Sequence, residues 1–237
     1  MQRTRNPWRP TVLQLLNGRY EQASAAVAYG SPVRGEDLEY ADIDLIVVGD
    51  LEGAPLRESI MFGGWPMEIH AHTPASLWEV SERRARTERI TRLPHMFTIG
   101  EMVFDRDGTG GNLKSRLSDL MVRGPSAIND AELVLYRHRI SDGIADLSDP
   151  RPLGEVMFSS AKLARSIAEF VLARNKHWLS TGKALHRNLR QVEPELAERL
   201  AEAWSRVGTD PDPLIAVADE VLEPVGGRLF EDATPGY

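Results

Sequence analysis

The chain changes character before its midpoint, and that change limits the fold more than any other feature. Up to the turn Asp105-Arg106-Asp107-Gly108, short apolar runs rich in β-branched residues alternate with segments of helical spacing. Beyond it only helical spacing remains. Residues 11–24 read as a helix with Val12, Leu13, Leu15 and Leu16 on its apolar side. Ala25–Tyr29 reads as a buried strand running into a Gly-Ser turn, and residues 43–49, Ile-Asp-Leu-Ile-Val-Val-Gly, as a second strand. Pro55–Met61 is ambiguous. Pro66–His72 alternates, with Met67, Ile69 and Ala71 on one face and Glu68, His70 and His72 on the other. Thr73-Pro74 starts a helix that the spacing carries to about Arg92, and Phe97–Phe104 supplies a helix end followed by a strand. Helical spacing then covers 112–122, 129–147, 153–178, 183–206 and 212–222. In 129–147 the stripe is Leu133, Tyr136, Ile140, Ile144 and Leu147. A strand-bearing first part and an all-helical remainder predict the α+β class with a helical domain appended, divided as 1–110 and 111–237.

Composition narrows the function. A chain of 237 residues holds one large domain or two small ones. A net charge of −7 argues against a partner held mainly by phosphate neutralisation. A small molecule is therefore expected in preference to a long nucleic acid. The absence of cysteine excludes disulfides, thiolate catalysis and Cys-type zinc sites. The basic start, Met1 to Pro10, leads into an apolar segment interrupted by Gln14 and Asn17, unlike a signal peptide. No run approaches the roughly 20 apolar residues of a membrane span. The expectation is a cytoplasmic protein with no membrane partner.

The most informative motif is Gly30-Ser31 followed by Asp42-Ile43-Asp44 at the mouth of the second strand. Side chains at i and i+2 of a strand share a face, so Asp42 and Asp44 stand side by side. Adjacent carboxylates repel unless a cation lies between them. Hard oxygen ligands favour Mg²⁺, which completes its shell with water and substrate phosphates. Glu68, on a separate strand, is the third carboxylate, and three such groups can share two Mg²⁺ ions about 3.5–4 Å apart. Gly30 and Ser31 offer close backbone approach, an N–H and a hydroxyl to a triphosphate.

In order and context, Gly30-Ser31, Asp42-Ile43-Asp44 and Glu68 resemble the DNA polymerase β-type nucleotidyltransferase superfamily over about residues 12–108. The resemblance implies a small mixed sheet flanked by helices, a nucleoside triphosphate (expected to be ATP) as donor, two Mg²⁺ ions, and transfer of a nucleoside monophosphate to an acceptor hydroxyl with loss of pyrophosphate. The helical part is similar to the domains appended to small bacterial nucleotidyltransferases, including aminoglycoside adenylyltransferases, on the segments from Arg139 to Leu147 and from Asn175 to Leu185. That similarity implies a phosphate contact from Lys183. It also suits an acceptor-binding or base role for Asp142 or Asp146, which lie one helical turn apart, in a cleft between the domains. A cationic, aminoglycoside-like small molecule is the expected acceptor. A transferase that modifies protein or tRNA, of toxin–antitoxin type, and a non-catalytic nucleotide-sensing or partner-binding protein remain as alternatives, and a homodimer is open. His70 and His72 read as exposed strand positions more than as ligands. Arg34 is balanced between a phosphate contact and a loop arginine, Trp178 and Trp204 read as core, and Arg83-Arg84-Ala85-Arg86 reads as a solvated helix face.

Overall fold

The structure, a computed structural model, describes residues 5–36 and 39–231. The first four residues of the basic N-terminal stretch, and residues 37–38 of the acidic loop before Asp42, lie outside the described residues. The chain divides after Gly124 into two units. In the first, the elements run α1 (Trp8–Arg19), β1 (Ala23–Tyr29), β2 (Ile43–Gly49), β3 (Leu56–Phe62), β4 (Trp65–His72), α2 (Pro74–Glu88), α3 (Arg92–Ile99), β5 (Glu101–Asp105) and α4 (Thr109–Arg123). The class is α+β, as the sequence predicts.

The five strands line up in the order β3-β4-β2-β1-β5. Only the β2–β4 pair is parallel, so the sheet is mixed. The ambiguous segment proves to be the edge strand β3. It joins β4 through Gly63-Gly64, where Phe62 pairs with Trp65 and both glycines have positive φ, 56° and 86°. That is the requirement of the tight two-residue hairpin turn, which glycine meets without Cβ strain. The central strands β1 and β2 are buried almost throughout because helices cover both faces of the sheet. On one face, Val12, Leu15 and Leu16 of α1 and Tyr20 just after it pack on Ile43, Leu45, Val47, Met67 and Ile69. On the other, Leu77 of α2, Leu93, Met96 and Phe97 of α3, and Leu113 and Leu117 of α4 pack on Val27, Ile46 and Val48.

Several boundaries differ from the expectation: the first helix is Trp8–Arg19, not 11–24, and β1 starts at Ala23. The helix that starts at Pro74 ends at Glu88, with Arg89 in the left-handed conformation (φ 53°), and a separate helix starts at Arg92. The division between units falls after residue 124 and not after residue 110. The helix 109–123 buries Leu113, Leu117 and Leu120, the first two against the sheet and α3, so it belongs to the first unit.

The second unit contains α5 (Asp130–Ser148), α6 (Leu153–Arg174), α7 (Lys183–Val192), α8 (Pro194–Arg206), α9 (Asp212–Leu222) and a short 3₁₀ turn, Glu223–Val225. Ile140, Ile144 and Leu147 of the expected stripe are buried, and Leu133 and Tyr136 pack at its margin. The single segment expected over 183–206 is two helices. Pro194 lacks an N–H and disfavours helical geometry in the residue before it, and Glu193 accordingly lies at φ −138°, ψ 75°. Trp204 is not core: it is 43% exposed, with its indole N–H donating to Ser160 Oγ at 3.2 Å. Among the described residues no helix is long and apolar enough to cross a membrane.

Candidate active site

Strand order brings the pieces of the motif to one end of the sheet. β1, β2 and β4 are adjacent. Tyr29, the last residue of β1, pairs with Asp44 near the start of β2. Asp44 in turn sits in register with Glu68 on the parallel strand β4. Residues in register point to the same face, so Asp44 and Glu68 lie next to each other on the face covered by α2, α3 and α4. The turn Gly30-Ser31 leaves β1 at the same end. Gly30 has φ +130°, and a Cβ there would lie 2.7 Å from the Asp42 carbonyl oxygen. The glycine therefore lets the turn press against the strand that carries the acids. Beyond it, Arg34 N–H donates to Ser31 O at 3.1 Å and Glu36 N–H to the same oxygen at 2.9 Å, which closes the loop back on itself.

The acids differ in how they are compensated. Asp42 is exposed, whereas the Asp44 side chain is only 13% exposed. Burial, followed by the negative charge of Asp42, pushes the Asp44 carboxyl up to about 6, against partial relief from Arg92. Glu68, 15% exposed, is also pushed up by burial. Its hydrogen bond from Arg57 and the charges of Arg92 and His70 outweigh burial and hold it below the usual carboxylate range. Arg57 Nε donates to Glu68 Oε1 at 2.9 Å, and His70 Nε2 donates to the same oxygen at 2.7 Å. Arg92 Nη2 lies 3.3 Å from that oxygen and 3.4 Å from Asp44 Oδ1. One guanidinium thus stands between the two carboxylates. Among the described residues, no three Asp, Glu, His or Cys side chains already surround a common point at metal-binding spacing. Glu68 Oε1 has three cationic or N–H neighbours, Arg57, His70 and, at the longest distance, Arg92.

Arg92, Arg57 and His95 are the site neighbours that sequence reasoning missed. Arg92 opens α3, and His95 follows one turn later, its ring meeting Tyr29 edge-on at 6.0 Å between centroids. Arg34 lies over the same Tyr29 ring, 5.5 Å from its centroid, with Nη2 3.4 Å from Ser31 Oγ and Nε donating to Glu36 Oε1 at 2.8 Å. A signal for α3 existed. Pro94 is tolerated within the first turn of a helix but not inside one, so a new start just before it was legible.

His70 and His72 are buried, contrary to the expectation of exposed strand positions, because α2 covers their face of the sheet. His72 Nδ1 lies 3.1 Å from Ser76 Oγ in the capping box of α2. Burial, then the neighbouring His70, pushes its pKa down to about 4. The unfolded imidazole titrates near 6.5, so between those values the unfolded chain binds the extra proton and stability falls as pH drops. A His72→Asn variant, followed by urea unfolding from pH 7 to pH 4, is expected to lose stability less steeply than wild type. An unchanged slope would contradict the burial of His72 as a neutral ring.

The remaining expected residues belong to the second unit. Lys183 is the first residue of α7 and is exposed. Asp142 faces His138 at 3.9 Å and Asp146 faces Arg151 at 3.8 Å, each near the surface. Arg84 of the basic run pairs with Glu88 at 2.8 Å, as a solvated helix face would.

No family model and no curated protein matches the sequence. Among solved structures, a nucleotidyltransferase-like protein from Exiguobacterium sibiricum superposes with a TM-score of 0.45 at 10% identity, covering 92% of this chain and 75% of that one. At that identity and score the likeness says nothing about chemistry.

Proposed function

We propose that the chain is a nucleotidyltransferase that moves a nucleoside monophosphate from a nucleoside triphosphate, ATP first among them, to a hydroxyl of a small cationic acceptor. The observation that carries this reading is the convergence of Gly30-Ser31, Asp42, Asp44 and Glu68 at one end of three adjacent strands. A metal fits the donor set. Asp44 is a buried carboxylate beside a like charge, and a guanidinium already stands in for a cation between it and Glu68. Asp42, Asp44 and Glu68 would hold Mg²⁺, which supplies charge neutralisation at the phosphates and acidifies a bound hydroxyl.

The chain's own groups supply position. The Gly30-Ser31 turn packs against the Asp42 backbone and would offer its N–H groups and the Ser31 hydroxyl to the phosphates. Arg34 and Arg92 bring positive charge to the same margin. The acceptor oxygen bonds to the α-phosphorus and the bond from that phosphorus to the bridging oxygen breaks. Pyrophosphate leaves with that electron pair, and the acceptor's proton passes to solvent. Positioning and electrostatics, not a covalent enzyme intermediate, carry such a reaction. Lys183, Asp142 and Asp146 remain proposed contacts to phosphate and acceptor.

A second reading has one observation in its favour: Glu68 already has three partners, as a structural ion network would. It is a protein that binds nucleotide or a partner without catalysis. Incubation with each α-³²P-labelled triphosphate and Mg²⁺ separates the readings. Label on a hydroxylated cationic small molecule is the expected result. Label on protein or tRNA would move the acceptor to the macromolecular class. No label on any acceptor, with triphosphate still bound, would favour the non-catalytic reading.

A further inference from the structure

Resting on the nucleotidyltransferase reading, we infer that Arg92 is a displaceable counter-ion and positioning residue. It neutralises Asp44 and Glu68 while the site is empty, and it passes to the triphosphate when metal and nucleotide enter. Three observations carry this. The guanidinium contacts both carboxylates through a single nitrogen at 3.4 and 3.3 Å, longer than a good charged hydrogen bond. Two arginine pairs of the helical unit show the tighter, bidentate alternative. Arg199 meets Glu220 through both terminal nitrogens at 2.6 Å, and Arg228 meets Asp219 at 2.7 and 2.6 Å. Second, the Arg92 side chain is 49% exposed while its two partners are 13% and 15% exposed, so the guanidinium is the component with room to move. Third, the helix that starts with Arg92 carries His95 one turn on, against Tyr29. Arg34 lies beside Tyr29 and Ser31. Tyr29 thus links the helix of Arg92, through His95, to Arg34 and Ser31 at the Gly-Ser turn, where an anionic chain would meet Arg34, now paired with Glu36 at 2.8 Å, together with the released Arg92.

The inference has an unusual signature: removing Arg92 has opposite effects on two ligands. With the competing cation gone, Mn²⁺ alone should bind more tightly. With the phosphate contact gone, a triphosphate with Mn²⁺ should bind more weakly. The experiment is Mn²⁺ titration of the full chain, read by loss of the free-ion electron paramagnetic resonance signal, for wild type, Arg92→Gln and Arg92→Lys. It is then repeated with each of the four triphosphates. For Arg92→Gln we expect about a two- to fivefold gain in affinity for Mn²⁺ alone, the range of a half-exposed ion pair. The bound triphosphate should weaken about 10- to 100-fold, the range of a charged hydrogen bond. Arg92→Lys keeps the charge, should stay close to wild type for Mn²⁺ alone, and controls for misfolding alongside circular dichroism. Mn²⁺ affinity unchanged or weakened in Arg92→Gln overturns the counter-ion role, and unchanged triphosphate affinity overturns the transfer to phosphate. If wild type and both variants bind neither Mn²⁺ nor any triphosphate, the nucleotidyltransferase reading fails with it. Metal binding in wild type that does not respond to Arg92 leaves that reading standing and removes this inference alone.

Discussion

Asp44→Asn is expected to abolish transfer and, in the absence of metal, to make the first unit more stable. The two effects share one cause. Asp44 is buried beside Asp42 and near Glu68, and its carboxyl is pushed up to about 6. Keeping it ionised at neutral pH therefore works against folding. An ordinary aspartate titrates near 3.9, and each unit of displacement corresponds to about 1.4 kcal/mol. Asparagine keeps the shape and drops the charge, so the gain at pH 7.5 should be about 3 kcal/mol in chelator, read from urea unfolding. The sign follows from proton counting. The folded state holds the Asp44 proton more tightly than the unfolded state, so wild type itself gains stability as pH falls through about 6. The advantage of the variant should shrink as pH falls from about 6 and vanish below about pH 4. Transfer should fall at least about 10³-fold, as when one preorganised charge-stabilising group is removed from an active site. Lower stability of Asp44→Asn at pH 7.5 would mean that the Arg92 contact outweighs burial and repulsion. Retained transfer would remove Asp44 from the chemistry.

Phe97→Ala should cost the first unit about 3–5 kcal/mol, the range for emptying a fully buried aromatic site. Phe97 is completely buried and, with Leu93 and Met96, fixes α3 to Val27, Ile46 and Val48 of the sheet. The cavity would open beneath the helix that begins with Arg92, so loss of stability should be accompanied by weaker triphosphate binding under conditions where the variant is still folded. Ile99→Ala on the same helix is the control. Ile99 is 57% exposed, and its truncation should change stability by no more than about 0.5 kcal/mol. Equal losses from the two substitutions would contradict the packing of α3.

Much of this was legible in the residues because local rules and tertiary needs agreed. Thr73-Pro74 reads as a helix start, and the structure shows Thr73 and Ser76 in a reciprocal capping box. The apolar run 43–49 is a strand buried on both faces. What local pattern could not give was long-range pairing. That β4 lies parallel to β2, with Glu68 in register with Asp44, depends on a crossover that no spacing encodes. The burial of His70 and His72 was misread for the same reason. Alternation shows that they share a face with Glu68, but not that α2 lies over it. Arg92 was missed because the charge-rich segment from Glu79 to Arg89 reads as one helix continuing to about residue 92, while a left-handed residue at Arg89 breaks it in two. The guanidinium now found between the acids belongs to the first helical residue after that break.

The most direct measurement is titration calorimetry of the four nucleoside triphosphates with Mg²⁺, on wild type and on Asp42→Asn/Asp44→Asn. The account predicts micromolar binding of one triphosphate by wild type, dependent on Mg²⁺ and lost or much weakened in the double variant. Binding of equal strength in both proteins, or binding indifferent to Mg²⁺, would contradict the claim that the acids at the end of the sheet form a metal–triphosphate site.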